Sequence, residues 1–166
     1  MSVSGSILGR NYHTKPLGKR IIHGSSETQF ERINMKRFHL IFGLILLVVF
    51  LLTGQYMDRY HEHLAYMADG PRMLYRTRHI FILMSGLLHL GLGIYFTYRA
   101  GTVRRVLQIA GSVLITIAPV LFTIGFFYEP HLNGLYAPFS KQGVILIAVG
   151  TLLHLFSGVG KRNENA

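Results

Sequence analysis

Between Arg78 and Arg99 the chain runs through His79–Tyr98 without a single Lys, Arg, Asp or Glu. A helix rises about 1.5 Å per residue, so a run of this length covers the ~30 Å hydrocarbon core of a bilayer. Three more apolar runs repeat the pattern at Phe38–Met57, Val106–Tyr128 and Gln142–Gly160. The first follows a basic pair, as a signal peptide would. However, it exceeds the ~7–15 residues of a signal h-region, and no small-x-small cleavage site follows. The expected fold is an all-α integral membrane protein, a four-helix transmembrane bundle with spans at 38–57, 79–98, 106–128 and 142–160.

Composition narrows the classes. Only 14% of the 166 residues are charged, against about 25% in ordinary soluble domains. Seventeen Lys and Arg face seven acids, but they cluster in short segments beside the apolar runs. That placement reads as topology and contact with anionic lipid rather than nucleic-acid binding. Cysteine is absent, which excludes disulfides, thiolate metal sites and redox thiols.

The expected organisation is a mobile basic tail over 1–34, a four-span domain over 35–162 and a short C-terminal tail over 163–166. Residues 1–34 are rich in Gly, Ser and basic side chains and contain Pro16. Met35-Lys36-Arg37 reads as a natural start, with the tail an upstream extension. Gly5, Gly9, Pro16, Gly18 and Gly24 argue against the amphipathic helix of a mitochondrial transit peptide. Within the loop 58–78, Arg59–Ala68 is expected as a short interfacial helix and Asp69-Gly70-Pro71 as a turn. Loop 129–141 is expected to be irregular. Pro119 should free one backbone carbonyl of the third span and kink it.

Basic residues give the orientation. Lys36, Arg37, Arg99, Arg104, Arg105, Lys161 and Arg162 fall on one side. Arg59, Arg72, Arg76, Arg78 and Lys141 fall on the other, diluted by Asp58, Glu62, Asp69 and Glu129. Both termini are therefore expected inside and both long loops outside. A bacterial inner membrane is the expected location, ahead of the mitochondrial one. The tetrad Leu-Leu-His-Leu occurs at 87–90 and again at 152–155, as a duplicated helical hairpin would place it.

Those repeats carry the central question, His89 and His154. No carboxylate, Lys or Arg lies inside the expected spans, which argues against a carboxylate-relay pump and a charge-lined channel. Both histidines are expected near mid-bilayer, on stripes of small residues: Ile82, Gly86, His89 and Gly93, and Gly143, Ile147, Gly150, His154 and Gly158. One reading is a b-type haem with His89 and His154 as axial ligands and Gly86, Gly93 and Gly150 giving clearance to the macrocycle. It would pass electrons between a quinone or another donor and a partner. A second is a non-catalytic accessory or assembly subunit that contacts other membrane subunits. Its histidines would hydrogen-bond a carbonyl, Ser85, Ser112, Thr116 or Ser157 across the helices. Proton handling, or carriage of a small molecule by the outer His and Arg, completes the set.

Two further groups stand outside the spans. Asp58, His61, Glu62 and His63, with Glu129 and His131 from the second long loop and His79 at the membrane edge, have residue types that bind Zn²⁺ or Cu²⁺. Arg72, Arg76 and Arg78 suit a lipid phosphate, a propionate or an acidic partner. There is no Gly-rich phosphate loop, no nucleophile–base motif and no pair of carboxylates, so the expectation leans away from an enzyme.

Overall fold

The computed structural model describes residues 22–97, 101–132 and 136–158, with side chains described from residue 34 onward. Four α-helices occupy most of these stretches, α1 (Ile22–His61), α2 (Asp69–Tyr95), α3 (Thr102–Tyr128) and α4 (Pro138–Gly158), with single 3₁₀ turns at Glu62–Leu64 and Glu129–His131. No strand occurs among the described residues. All four helices are long and apolar enough to cross a membrane. Their outward faces carry Ile41, Leu44, Leu51, Leu52, Val113 and Phe156, each about half exposed or more. The interior instead holds His39, Arg78, Ser85, His89 and Glu129. That inversion of the usual soluble pattern suits a hydrocarbon solvent.

Helix bounds differ from the sequence reading where polar residues flank the apolar runs. Helix α1 starts at Ile22 and therefore takes in the last third of the expected tail; residues 25–37 contain no Gly or Pro to stop it. Residues 1–21 and 163–166 lie outside the described residues. No separate interfacial helix forms over 59–68, because α1 continues to His61. The chain then turns through Glu62, His63 and Leu64 at φ 45°, 57° and 65°. Left-handed backbone costs about 1–2 kcal/mol at each such non-glycine residue, and burial of the Leu64 side chain at 3% exposure opposes that cost. Asp69-Gly70-Pro71 is not a free turn but the first turn of α2. Pro71 sits where no intrahelical donor is needed, and Asp69 faces the positive end of the helix dipole.

The helices form two hairpins. In the first, α1 packs on α2 with little between their backbones: a Cβ added at Gly93 would meet Leu40 Cγ at 2.6 Å, and one at Gly43 would meet Leu90 Cγ at 2.9 Å. In the second, Gly111 of α3 faces Gly150 of α4, and a Cβ on either would lie 2.8–2.9 Å from the other's carbonyl oxygen. Small residues on facing stripes allow this approach. The hairpins meet across α2 and α3, where Tyr75, Ile82, Ala118, Phe122 and Phe126 form a closed apolar layer.

Candidate functional site: a buried imidazole relay

Three histidines, not two, meet inside the bundle. His39 lies on α1 in a stripe with Gly43, Leu46 and Thr53, all buried. The His39 Nδ1 is 2.8 Å from the His89 Nδ1. Its Nε2 lies 3.2 Å from the Ser112 hydroxyl on α3, and the same hydroxyl lies 3.2 Å from His154 Nε2 on α4. His89 Nε2 reaches the carbonyl of Ile115 at 3.4 Å. One hydrogen-bonded chain thus joins all four helices. His39 and His89 are wholly buried and His154 is half-buried.

Why that carbonyl is available follows from the sequence. The backbone N–H that would bond Ile115 in a regular helix belongs to residue 119, which is proline and has none. The carbonyl can only accept, so His89 Nε2–H donates to it. A neutral imidazole has one donor and one acceptor nitrogen, so His89 Nδ1 accepts from His39 Nδ1–H. His39 Nε2 then accepts from the Ser112 O–H, and Ser112 accepts from His154 Nε2–H. With all three rings neutral every junction has one donor and one acceptor, running from His154 to Ile115.

The relay ends there. Beyond His89 toward the opposite end, Ser85 donates to the Phe81 carbonyl of its own helix at 2.8 Å. Ile82, Ala118 and Phe122 then close the interior. On the other side Phe96 caps the relay, its ring centroid 5.8 Å from that of His39 and 5.9 Å from that of His154. The relay is not central along α2. His89 lies about 9 Å from the Tyr95 end of α2 and about 30 Å from its Asp69 end, because α2 starts ten residues ahead of the expected span.

The arrangement bears directly on a macrocycle. Both Nε2 atoms of the expected axial ligands are engaged, and His39 with Ser112 stands between the two rings. The glycine faces are covered too: Gly86 lies against Leu46, Gly93 against Leu40 and Gly150 against Ile115. As packed, these residues do not present a slot for a haem.

At the other end of the bundle a second polar group joins the hairpins. Arg78 Nε donates to Glu129 Oε2 at 2.5 Å, and Arg78 Nη2 lies at the same distance from it. Glu129 also accepts from the Ser140 backbone N–H at 2.8 Å and from the Ser140 hydroxyl at 2.5 Å. It therefore places a carboxylate on the first turn of α4, against the helix dipole. A Cβ at Gly125 would lie 2.9 Å from this carboxylate. One layer further in, His79 stacks on Phe50 with centroids 4.0 Å apart and donates from Nδ1 to Thr53 Oγ1 at 2.9 Å.

The expected outer sites come out differently. Arg78 is 2% exposed and committed to Glu129, so it is not available to an external anion. Arg72 turns back to donate to the Met67 carbonyl at 2.6 Å, while Arg76 faces outward. Arg72 and Arg76, four apart, share a face of α2, but Arg72 is turned back onto the chain and Arg78 points inward to Glu129, so the three do not converge. Among the metal candidates only His63 and Asp58 meet, at 2.8 Å and both exposed. His131 donates to its own helix at Phe127 O, 3.0 Å away, and His61 turns inward between Tyr56 and Tyr75. No three His, Asp or Glu side chains form a metal-holding group among the described residues.

Sequence reasoning missed His39 and the Glu129 contacts. The i, i+4, i+7 stripe through His39, Gly43 and Leu46 was a usable signal. Comparison with protein-family models, curated proteins and solved structures gives no match.

Proposed function

We propose that this chain is a four-span integral membrane protein with both termini inside, a non-catalytic accessory subunit of a membrane assembly. In it a one-ended imidazole relay holds two helical hairpins together and ties their packing to its proton arrangement. The observation that carries this reading is the use of buried polar groups in contacts between the hairpins. His39 meets Ser112, His89 meets the Ile115 carbonyl, and Arg78 meets Glu129. A relay that stops at a carbonyl beneath an apolar layer can hold a proton pattern but has no exit, so it is not a conducting path. The apolar outer faces remain for lipid and for neighbouring membrane subunits.

The rival reading is a b-type haem at His89 and His154, favoured by the convergence of those two rings on one layer. It requires His39 to leave the space between them and both Nε2 atoms to give up their present partners. Two measurements on full-length protein made with ample haem decide between them. The proposal expects a featureless dithionite-reduced minus air-oxidised spectrum, and proteoliposomes no leakier to protons than empty vesicles. Haem bands that vanish in both His89→Ala and His154→Ala, or a proton leak abolished by His39→Phe, would overturn it.

A further inference from the structure

Helices α2 and α4 each pack on α3 rather than on one another. Phe122 of α3 shows how. Its ring lies 5.0 Å from that of Phe81 on α2, and a Cβ added at Gly143 of α4 would meet its Cε1 at 2.5 Å. Between the two helices runs an open furrow of about 440 Å³, walled by Met73 and Phe81 on one side and by Val144 and Ile145 on the other. Met73, Val144 and Ile145 are each about half exposed. The polar groups of the lining are mostly spent within the protein. Arg78 and Ser140 are both held by Glu129, and the Thr77 hydroxyl donates to the Met73 carbonyl at 2.7 Å. Lys141 also lines the furrow, in the first turn of α4. From there the walls run toward the middle of the bundle. Ile145 lies about 6 Å along α4 from Lys141, and Phe81 about 12 Å along α2 from Met73.

We propose that this furrow seats one anionic phospholipid, its phosphate on the Lys141 ammonium and an acyl chain between Phe81 and Ile145. The charge of the lining selects the head. Arg78 and Glu129 cancel one another, and no Asp or Glu lines the furrow. Among the described residues no carboxylate forms an ion pair with Lys141. One positive charge therefore stands at the mouth, above walls that offer an occupant apolar surface. A lysine meets phosphate as a point charge, and its stem can lie along such walls while the ammonium reaches the interface. Basic side chains at that depth attract anionic lipid. Charge at the helix start and apolar walls further in match the order of head and chain within a leaflet. A soluble anion would meet the charge but leave the walls bare. This inference rests on the membrane insertion proposed above, and on neither the relay nor the accessory role.

The test is native mass spectrometry of the full-length protein released from nanodiscs of equal phosphatidylglycerol and phosphatidylcholine. One phosphatidylglycerol per chain is expected to stay bound, favoured about fivefold over phosphatidylcholine. Lys141→Gln should erase that preference. Ile145→Trp, at a position 46% exposed, fills the furrow and should release both lipids. Arg76→Gln removes an exposed charge near the same end of the bundle but outside the lining, and should leave the preference intact. Equal retention of the two lipids by the parent would overturn the proposal. So would equal losses in Arg76→Gln and Lys141→Gln, which would mean diffuse attraction, or parent-like retention in Ile145→Trp. A mass of two chains without lipid would assign the furrow to a second copy and overturn it as well. A chain that enters no nanodisc would overturn the membrane reading itself, whereas the other failures leave the chain inserted.

Discussion

At the residue scale the account turns on Pro119. Its missing N–H leaves the Ile115 carbonyl inside an apolar bundle, where an unpaired polar group costs about 1–3 kcal/mol, and His89 meets that need from another helix. This makes the two residues interdependent. His89→Leu should destabilise the protein by about 1–3 kcal/mol, measured by urea or detergent titration. In a Pro119→Ala background, where residue 119 supplies its own N–H, the same substitution should cost at least about 0.5 kcal/mol less, the threshold that separates coupled from additive pairs. Strict additivity would contradict the coupling. The freed carbonyl was legible from the sequence, since it lies four residues before a proline. Its partner was not, because which histidine faces it depends on the rotation of α2 against α3. His39 was hidden for a related reason: it stands beside Lys36-Arg37 at the expected edge of a span, and only the longer α1 makes it an interior residue.

At the scale of the elements, glycine seams set how closely each hairpin closes. Gly111→Ala would put a methyl group 2.8 Å from the backbone oxygen of Gly150 and 2.8 Å from His154 Cδ2. It should therefore lower stability by about 1–3 kcal/mol and displace His154 from Ser112. Gly91, on the outer face of α2, has nothing within 4 Å, so Gly91→Ala should be neutral or stabilise by up to about 1 kcal/mol through helix propensity. Thermal midpoints of the two variants check the contrast, and equal effects would contradict it. The buried ion pair makes a second prediction. Glu129→Ala should cost about 3–5 kcal/mol because it strands Arg78 in the interior, whereas Arg78→Met combined with Glu129→Leu should recover most of that loss. Denaturation curves showing the double variant no better than the single one would argue against it. Helix number and the inward stripes around His89 and Gly150 could be read from hydrophobic period alone. Helix ends could not, because Asp69-Gly70-Pro71 reads equally well as a turn or as the first turn of a helix.

At the scale of the molecule, two hairpins are fastened at both ends by polar contacts and apolar between them. The outward faces suit a hydrocarbon environment, and in the proposed orientation both termini lie inside. The absence of cysteine makes single-cysteine labelling clean. Tyr66→Cys, on the α1–α2 connection, should react with an impermeant maleimide in intact cells. Val103→Cys, in the first turn of α3 and 73% exposed, should react only after the membrane is opened. The reverse pattern would invert the topology and leave the interior unchanged. Four helices long and apolar enough to cross a membrane were evident from charge-free length, whereas the joining of all four through one hydrogen-bonded chain needed the packing of both hairpins.

The most direct test of the relay is ¹⁵N NMR of histidine-labelled, full-length protein in lipid bilayers, with each ring assigned through a single His→Phe variant. The account predicts three neutral imidazoles with alternating tautomers: His89 and His154 protonated at Nε2, and His39 protonated at Nδ1 and coupled across a hydrogen bond to His89 Nδ1. A His39 protonated at Nε2, or His89 and His154 shifted as metal-bound nitrogens, would contradict it.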